Sequence, residues 1–303
     1  MSRALRAALD KLYRADGGQL AASALSSAQR QALDAFASQT GSITMRRSGR
    51  GVVYHIRHAA LVEQRWRELC PSGAAALDPE LPARARNIAR RGASKSAAHT
   101  HPRYYLMLRA GPGAVLWQDD DGQQLDLSSA THRFGGALLA IEDDNPWHSS
   151  GPLWLVENQA LFDRLDWLSP EPGSSVAWYR GQLPNTLISW LAARPRASTV
   201  YLFPDYDGIG LLNYARLKTR LGTAVQLWLM PDWAERLQRF GSNTLWQDSQ
   251  REFNAALRML TTLPVDPPLE ALIRTMDEQG RGLEQEAVWL PLATTISGAQ
   301  GDE

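Results

Sequence analysis

Cysteine is almost absent from this chain. Cys70 is the only one in 303 residues, which excludes an intramolecular disulfide and any multi-cysteine zinc site and fits a reducing, cytoplasmic compartment. No Cys-His signature surrounds Cys70, so it reads as a buried or inert thiol rather than a nucleophile. Long apolar runs are also missing. Nothing approaches the roughly 18 unbroken apolar residues of a transmembrane helix, so no membrane partner is expected. The first residues, MSRALRAALDKLYRADGG, have the pattern of an amphipathic helix rather than a signal peptide. Nor is there an internal repeat of about 20–50 residues, which excludes a solenoid or propeller. His99, His101 and His132 lack the spacing of a metal cluster and receive no role. What remains, 44% hydrophobic and 21% charged residues, is ordinary for a soluble globular protein of two or three domains.

Net charge is absent too, with 32 Lys and Arg against 32 Asp and Glu, but the balance hides a division. Residues 1–110 hold 18 basic and 7 acidic residues, and residues 111–303 hold 14 and 25. A basic half suggests a polyanionic partner such as DNA, although it could also dock on an acidic protein surface. The acidic half is where a metal site is expected.

The most informative stretch is STVYLFPDYDGIGLLNYARLKTRLG, 198–222. A run of β-formers stops at Asp205-Tyr206-Asp207-Gly208 and a helical pattern begins at once. Two carboxylates at the lip of a buried strand are not core material, and in open α/β sheets ligands collect outside the carboxyl ends of strands. Paired oxygen anions suit a hard cation such as magnesium. Upstream, Leu153 to Val156 read as a strand ending at Glu157, followed by apolar helical spacing at Leu161, Phe162 and Leu165. Residues 175–193 repeat the pattern, with a tight Arg180-Gly181 turn, and 224–231 form a fourth strand. This alternation predicts βαβ units and a parallel sheet with right-handed crossovers.

A glutamate after the first strand and Asp-x-Asp after the third resemble the Toprim domain, and most nearly that of the JetD (MksG) group, nuclease subunits of Wadjet-type SMC defence systems related to the topoisomerase VI A subunit. The residues carrying the resemblance are Val156-Glu157-Asn158, Tyr179-Arg180-Gly181, and Asp205-Tyr206-Asp207 with Gly208 and Gly210, over roughly 150–235. Asn158 stands where the wider pattern prefers glycine, and Pro204 where a small residue is expected. The resemblance implies a metal-dependent endodeoxyribonuclease. Glu157, Asp205 and Asp207 would hold Mg²⁺ or Mn²⁺, Glu157 could serve as a general base, and Arg180 could hold a phosphate. The implied partners are DNA and the subunits of an SMC-kleisin complex, with a homodimer also open. A topoisomerase would need a tyrosine nucleophile. Tyr54, Tyr104 and Tyr105 are the candidates with arginines nearby, and all three read better as strand residues.

Residues 1–72 read as a winged-helix-like module: a helix at about 3–15, a break at Gly17-Gly18, two short helices separated near Ser26-Ser27, a hairpin around Ser48-Gly49 and a closing helix. Arg46, Arg47 and Arg50 crowd the hairpin tip and suit DNA phosphates, although many such wings serve structure or protein docking. Residues 73–150 form a basic linker and β-rich connecting segment. Its run at 84–103 could place Arg84, Arg86, Arg90 and Arg91 on one helical face, either solvated or touching phosphate. Gly92-Ala93-Ser94-Lys95 is similar to a Gly-x-Ser-Lys of the JetD group, which points to Lys95. Within 104–148, YYLMLRAG and AVLWQDDDGQQLDL are expected to form hairpins, and Asp119–Asp121 reads as a solvated turn. The Toprim domain is placed at 151–235 and a helical extension at 236–303, with the tail 294–303 expected to be disordered. Eleven tryptophans read as packing rather than base stacking. The expected function is thus a DNA-cleaving SMC effector. The alternatives are a non-catalytic DNA-binding adaptor with a residual Toprim fold, or an RNA-processing Toprim enzyme.

Overall fold

A computed structural model describes residues 3–49, 51–72, 77–91, 94, 103–142, 144–168 and 172–292. The chain divides into two compact units, Met1–His101 and Pro102–Glu303. Arg50, Lys95, His99, His101 and the tail 294–303 lie outside the described residues, as do parts of the linker.

The first unit runs α1 (Arg3–Tyr13), β1 (Gln19–Ala21), α2 (Ser27–Thr40), β2 (Ile43–Ser48), β3 (Gly51–Ile56), α3 (Ala59–Leu69) and α4 (Ala83–Arg91). Leu5, Ala8, Leu9 and Leu12 fall on one stripe of α1 and pack with Leu33, Phe36, Tyr54, Val62 and Trp66. Ser26 starts α2 with a capping box: its hydroxyl accepts from the Gln29 N–H, and the Gln29 side chain accepts from the Ser26 N–H. The expected pair of short helices is a single 3₁₀ turn at Ala22–Ala24 followed by α2. The hairpin forms around Ser48-Gly49 as expected, and β1, absent from the sequence reading, pairs antiparallel with β3. Tyr54 is buried and donates its hydroxyl to Asp34 at 2.6 Å. Burial, reinforced by Asp34, pushes its pKa up to about 12, so it is a core residue and no nucleophile.

The second unit contains β4 (Tyr104–Ala110), β5 (Leu116–Gln118), β6 (Gln124–Asp126), α5 (Leu127–Phe134), β7 (Ala137–Ile141), β8 (Leu153–Val156), α6 (Gln159–Asp163), β9 (Ser175–Trp178), α7 (Asn185–Ala193), β10 (Val200–Phe203), α8 (Gly208–Leu221), β11 (Val225–Leu227), α9 (Trp233–Phe240), α10 (Asn243–Asp248), α11 (Gln250–Leu260) and α12 (Pro267–Gln279). Six strands form one sheet in the order β11-β10-β8-β9-β4-β7. The first four are mutually parallel, as the alternation predicts. The sheet as a whole is mixed rather than parallel, because β4 joins β9 antiparallel and β7 joins β4 antiparallel. The side chains show why. Leu153 to Val156 are buried throughout, as a strand covered on both faces requires, whereas β4 alternates buried Leu106, Leu108 and Ala110 with exposed Tyr105 and Met107. YYLMLRAG therefore extends the main sheet instead of forming a local hairpin. AVLWQDDDGQQLDL does fold back on itself as β5 and β6. Its turn is closed by Asp119, which accepts from the Asp121 and Gln123 N–H groups, while Asp120 pairs with Arg194.

Helices cover the sheet. α6 packs against β8 and β9, α8 against β11, and α7 against α8. The tryptophans are mostly core. Trp117 and Trp190 are fully buried, and Trp154, Trp167 and Trp228 interlock with Tyr201 and Phe203. The helix expected over 245–260 is broken at Ser249 into α10 and α11. No helix among the described residues is long and apolar enough to cross a membrane.

Candidate functional site

The strand order builds a crevice. From β8 the chain passes to β9 on one side, then crosses back over β8 to β10 on the other, so the order reverses between β8 and β10. This is the kind of switch point at which the loops diverge and leave room for a ligand. The two strands run parallel and in step, Phe203 opposite Val156. Glu157 leaves the end of one strand, and Asp205 and Asp207 follow the end of its neighbour. The three carboxylates named from sequence thus share one sheet edge.

The two aspartates are held locally. Asp207 is the N-cap of α8, its Oδ1 accepting from the Gly210 N–H at 2.7 Å. Gly208 and Gly210 are required by close approach. A Cβ on Gly208 would lie 1.9 Å from the Ser249 carbonyl, and one on Gly210 would lie 2.1 Å from the Asp205 carbonyl and 2.8 Å from Pro204 Cβ. Pro204 therefore packs beneath the Asp-x-Asp turn without displacing it. Tyr206, between the aspartates, is buried and receives the Met230 N–H on its hydroxyl at 2.6 Å. Asp205 Oδ1 accepts from the Gln285 N–H at 2.8 Å and from Asn158 Nδ2 at 3.2 Å. The same Asn158 amide donates to Glu286 Oε2 at 3.0 Å, so this asparagine ties two carboxylates together.

The electrostatics are those of anions taken out of water. Burial pushes the Glu157 carboxyl up to about 8, with Asp205 and then Asp207 adding repulsion. Burial raises Asp205 to about 7 against the pull of the Gln285 N–H, with Asp207, Glu286 and Glu284 contributing. Asp207 rises to about 6, again chiefly by burial, against the Gly210 and Ile209 N–H groups and with help from Glu252. No Lys or Arg forms an ion pair with these carboxylates among the described residues. Two buried polar atoms here have no hydrogen-bond partner: Glu157 Oε2 and the Tyr179 hydroxyl. The hydroxyl lies near enough to lower the Glu157 carboxyl somewhat without completing a bond to it. Burial, then Glu157, Asp205 and Asp207 in turn, hold Tyr179 well above the ordinary phenol range, so it stays a protonated hydroxyl able to donate.

This donor set fits a hard divalent cation. It is all oxygen, it is anionic without a cationic partner, and it includes an unsatisfied carboxylate oxygen. Among the described residues no three or more His, Cys, Asp or Glu side chains form a ready-made metal cage. Magnesium does not require one, since it commonly takes one or two carboxylates and keeps several waters.

Arg180 is exposed in the turn before Gly181, where φ is +63°, and its side chain makes no hydrogen bond or ion pair among the described residues. In the first unit, Arg46 and Arg47 are exposed on β2 and Arg90 is exposed on α4, while Arg91 ends that helix. Residues that sequence reasoning missed come from two places. Tyr179 was read only as a strand-end position. Gln285, Glu284 and Glu286 lie in a segment read only as part of the helical extension, and only a contact spanning 80 residues, from Gln285 to Asp205, places them at the site.

A family described as a domain of unknown function (DUF7281) matches residues 118–292. The matched region holds every residue of the carboxylate site. No curated protein matches the chain.

Proposed function

We propose that this chain, which belongs to the DUF7281 family, is a divalent-metal-dependent DNA endonuclease of Toprim type, the effector subunit of an SMC-like plasmid-defence complex. The observation that carries this reading is the placement of Glu157 beside Asp205 and Asp207 at the switch point of the sheet, with Asp207 buried, Glu157 and Asp205 half-buried, and no cationic partner among the described residues. The resemblance of these motifs to the JetD group supplies the biological setting, with SMC-kleisin subunits as partners in the cytoplasm.

Glu157, Asp205 and Asp207 would hold Mg²⁺ or Mn²⁺, which when bound neutralises charge on the phosphoryl group, activates water and stabilises the leaving oxygen. The chain's own groups account for the rest. The Gln285 and Gly210 N–H groups fix the aspartate oxygens. Arg180 offers an uncommitted guanidinium to a substrate phosphate. Glu157 Oε2 can accept a proton from an attacking water. The helix–strand–helix–hairpin order of residues 3–56 supports a winged-helix module whose Arg46 and Arg47 would meet the DNA backbone.

Melting the protein with Mn²⁺ against chelator tests the site. An ion that binds the folded cluster alone adds about 2.7 kcal/mol at a hundredfold excess over its Kd, and Asp205→Ala should abolish the gain. A rise surviving in Asp205→Ala would place the ion elsewhere. DNA binding separates from metal binding. Replacing Arg46 and Arg47 with Ala should lower the slope of log affinity against log salt by roughly 2 and leave the Mn²⁺ response intact. An unchanged slope would assign the wing to protein docking.

A further inference from the structure

We propose that Gln285 is the positioning residue of the carboxylate site, spanning the ends of β8 and β10 so that Asp205 and Glu157 are held in one geometry. The inference rests on the metal-site reading above and names a residue outside the motifs that suggested it.

Gln285 is polar yet wholly buried. Its side chain is tied at both ends to the backbone of neighbouring strands. Oε1 accepts from the Asn158 N–H at 3.0 Å, one residue past Glu157, and Nε2 donates to the carbonyl of Phe203, the last residue of β10. Past these points the strands no longer pair with one another, so the glutamine amide replaces the hydrogen bonds the ladder stops supplying. An amide offers an acceptor and a donor from one planar group without carrying charge. With its side chain anchored twice, the residue presents its own backbone N–H to Asp205 Oδ1 at 2.8 Å. One residue thereby sets the position of the Asp205 carboxylate and of the chain that carries Glu157.

The segment bearing Gln285 is docked by other contacts. Leu283 and Tyr206 exchange two backbone hydrogen bonds, at 2.8 and 3.0 Å. Arg236 Nη1 donates to the Ala287 and Leu290 carbonyls, and Trp289 Nε1 donates to Asp166 at 2.8 Å. Removing the Gln285 side chain should therefore leave the segment in place while releasing the two strand ends. This separates positioning from mere attachment.

The test uses the full chain with Mn²⁺ as the probe. Mn²⁺ affinity is measured by calorimetry, the electron paramagnetic resonance spectrum of the bound ion is recorded, and melting is followed in parallel. Gln285→Met keeps the volume and removes both hydrogen bonds. Gln285→Asn keeps the amide but is too short to span both strands, and it serves if the methionine variant fails to fold. The expected result is a Kd for Mn²⁺ raised roughly 10–100-fold, the range for residues that orient metal ligands, with an altered spectrum of the residual complex. A folded variant that binds Mn²⁺ with wild-type Kd and spectrum overturns the inference alone, even if its melting temperature falls, because Gln285 is then only a core residue. Failure of the wild-type chain to bind Mn²⁺ overturns it together with the metal-site reading.

Discussion

Alanine at Glu157, Asp205 or Asp207 should each remove nearly all DNA cleavage, and combining the substitutions should add little. Groups that act as one unit lose their effect together, and losing one preorganised electrostatic contributor costs roughly 10²–10³-fold in rate. Circular plasmid with Mn²⁺ or Mg²⁺ is the substrate of choice, assayed with and without the proposed SMC partners, since effectors of the JetD type are expected to act on DNA presented by a motor. Arg180→Ala should impair cleavage while leaving Mn²⁺ binding unchanged, because its proposed role is to hold the substrate phosphate and not the ion. In cells, plasmid loss driven equally by wild type and Asp207→Ala would sink the nuclease reading and promote the DNA-binding adaptor.

The second large effect is on stability, and it runs opposite to activity. Folding raises the pKa of Glu157 from 4.5 to about 8, of Asp205 from 3.8 to about 7 and of Asp207 from 3.8 to about 6. The folded state thus holds these protons more tightly than the unfolded chain. Their contribution to stability is present below about pH 4 and is lost as pH rises through 6, 7 and 8. In chelator, Glu157→Gln keeps the shape of the side chain and removes the charge. It should therefore melt higher than wild type at pH 8, by on the order of 2 kcal/mol, or about 4–8 °C for a unit of this size. The gap should close near pH 4. Mn²⁺ should raise the melting temperature of wild type at pH 8 and leave Glu157→Gln unmoved. A variant that melts with or below wild type at pH 8, by the same margin as at pH 4, would show that the cluster carries no such strain. The expected trade, a stabler protein without function, is that of a site whose charges are held together for a ligand.

The adaptor alternative and the endonuclease share the basic first unit, so DNA binding alone does not choose between them. The choice lies in the carboxylates. An adaptor has no use for three carboxylates crowded at one sheet edge, which cost stability, and here Asp207 is buried, Glu157 and Asp205 are half-buried, and one Glu157 oxygen is unsatisfied.

Local patterns in the amino-acid sequence determined the parallel core of the sheet, the ends of β8 and β10 and the identity of Glu157, Asp205 and Asp207. Continuous apolar strands cut short by a carboxylate need no distant contact to be read. The hairpin of β2 and β3 and the Ser26 cap were equally local. Three features were decided only by the tertiary structure. β4 and β7 join the main sheet because strand pairing is chosen by which face must be buried, and alternation in a single strand does not name its neighbour. The break at Ser249 follows from α8, where Gly208 lets the Ser249 carbonyl approach and donates its own N–H to the Ser249 hydroxyl at 2.9 Å. Gln285 reaches Asp205 across 80 residues, a hydrogen bond that periodicity and motif spacing cannot encode. The carboxylates of the proposed site were legible because their chemistry is local. The residues that aim them were not, because positioning is a property of contacts between segments brought together only by folding.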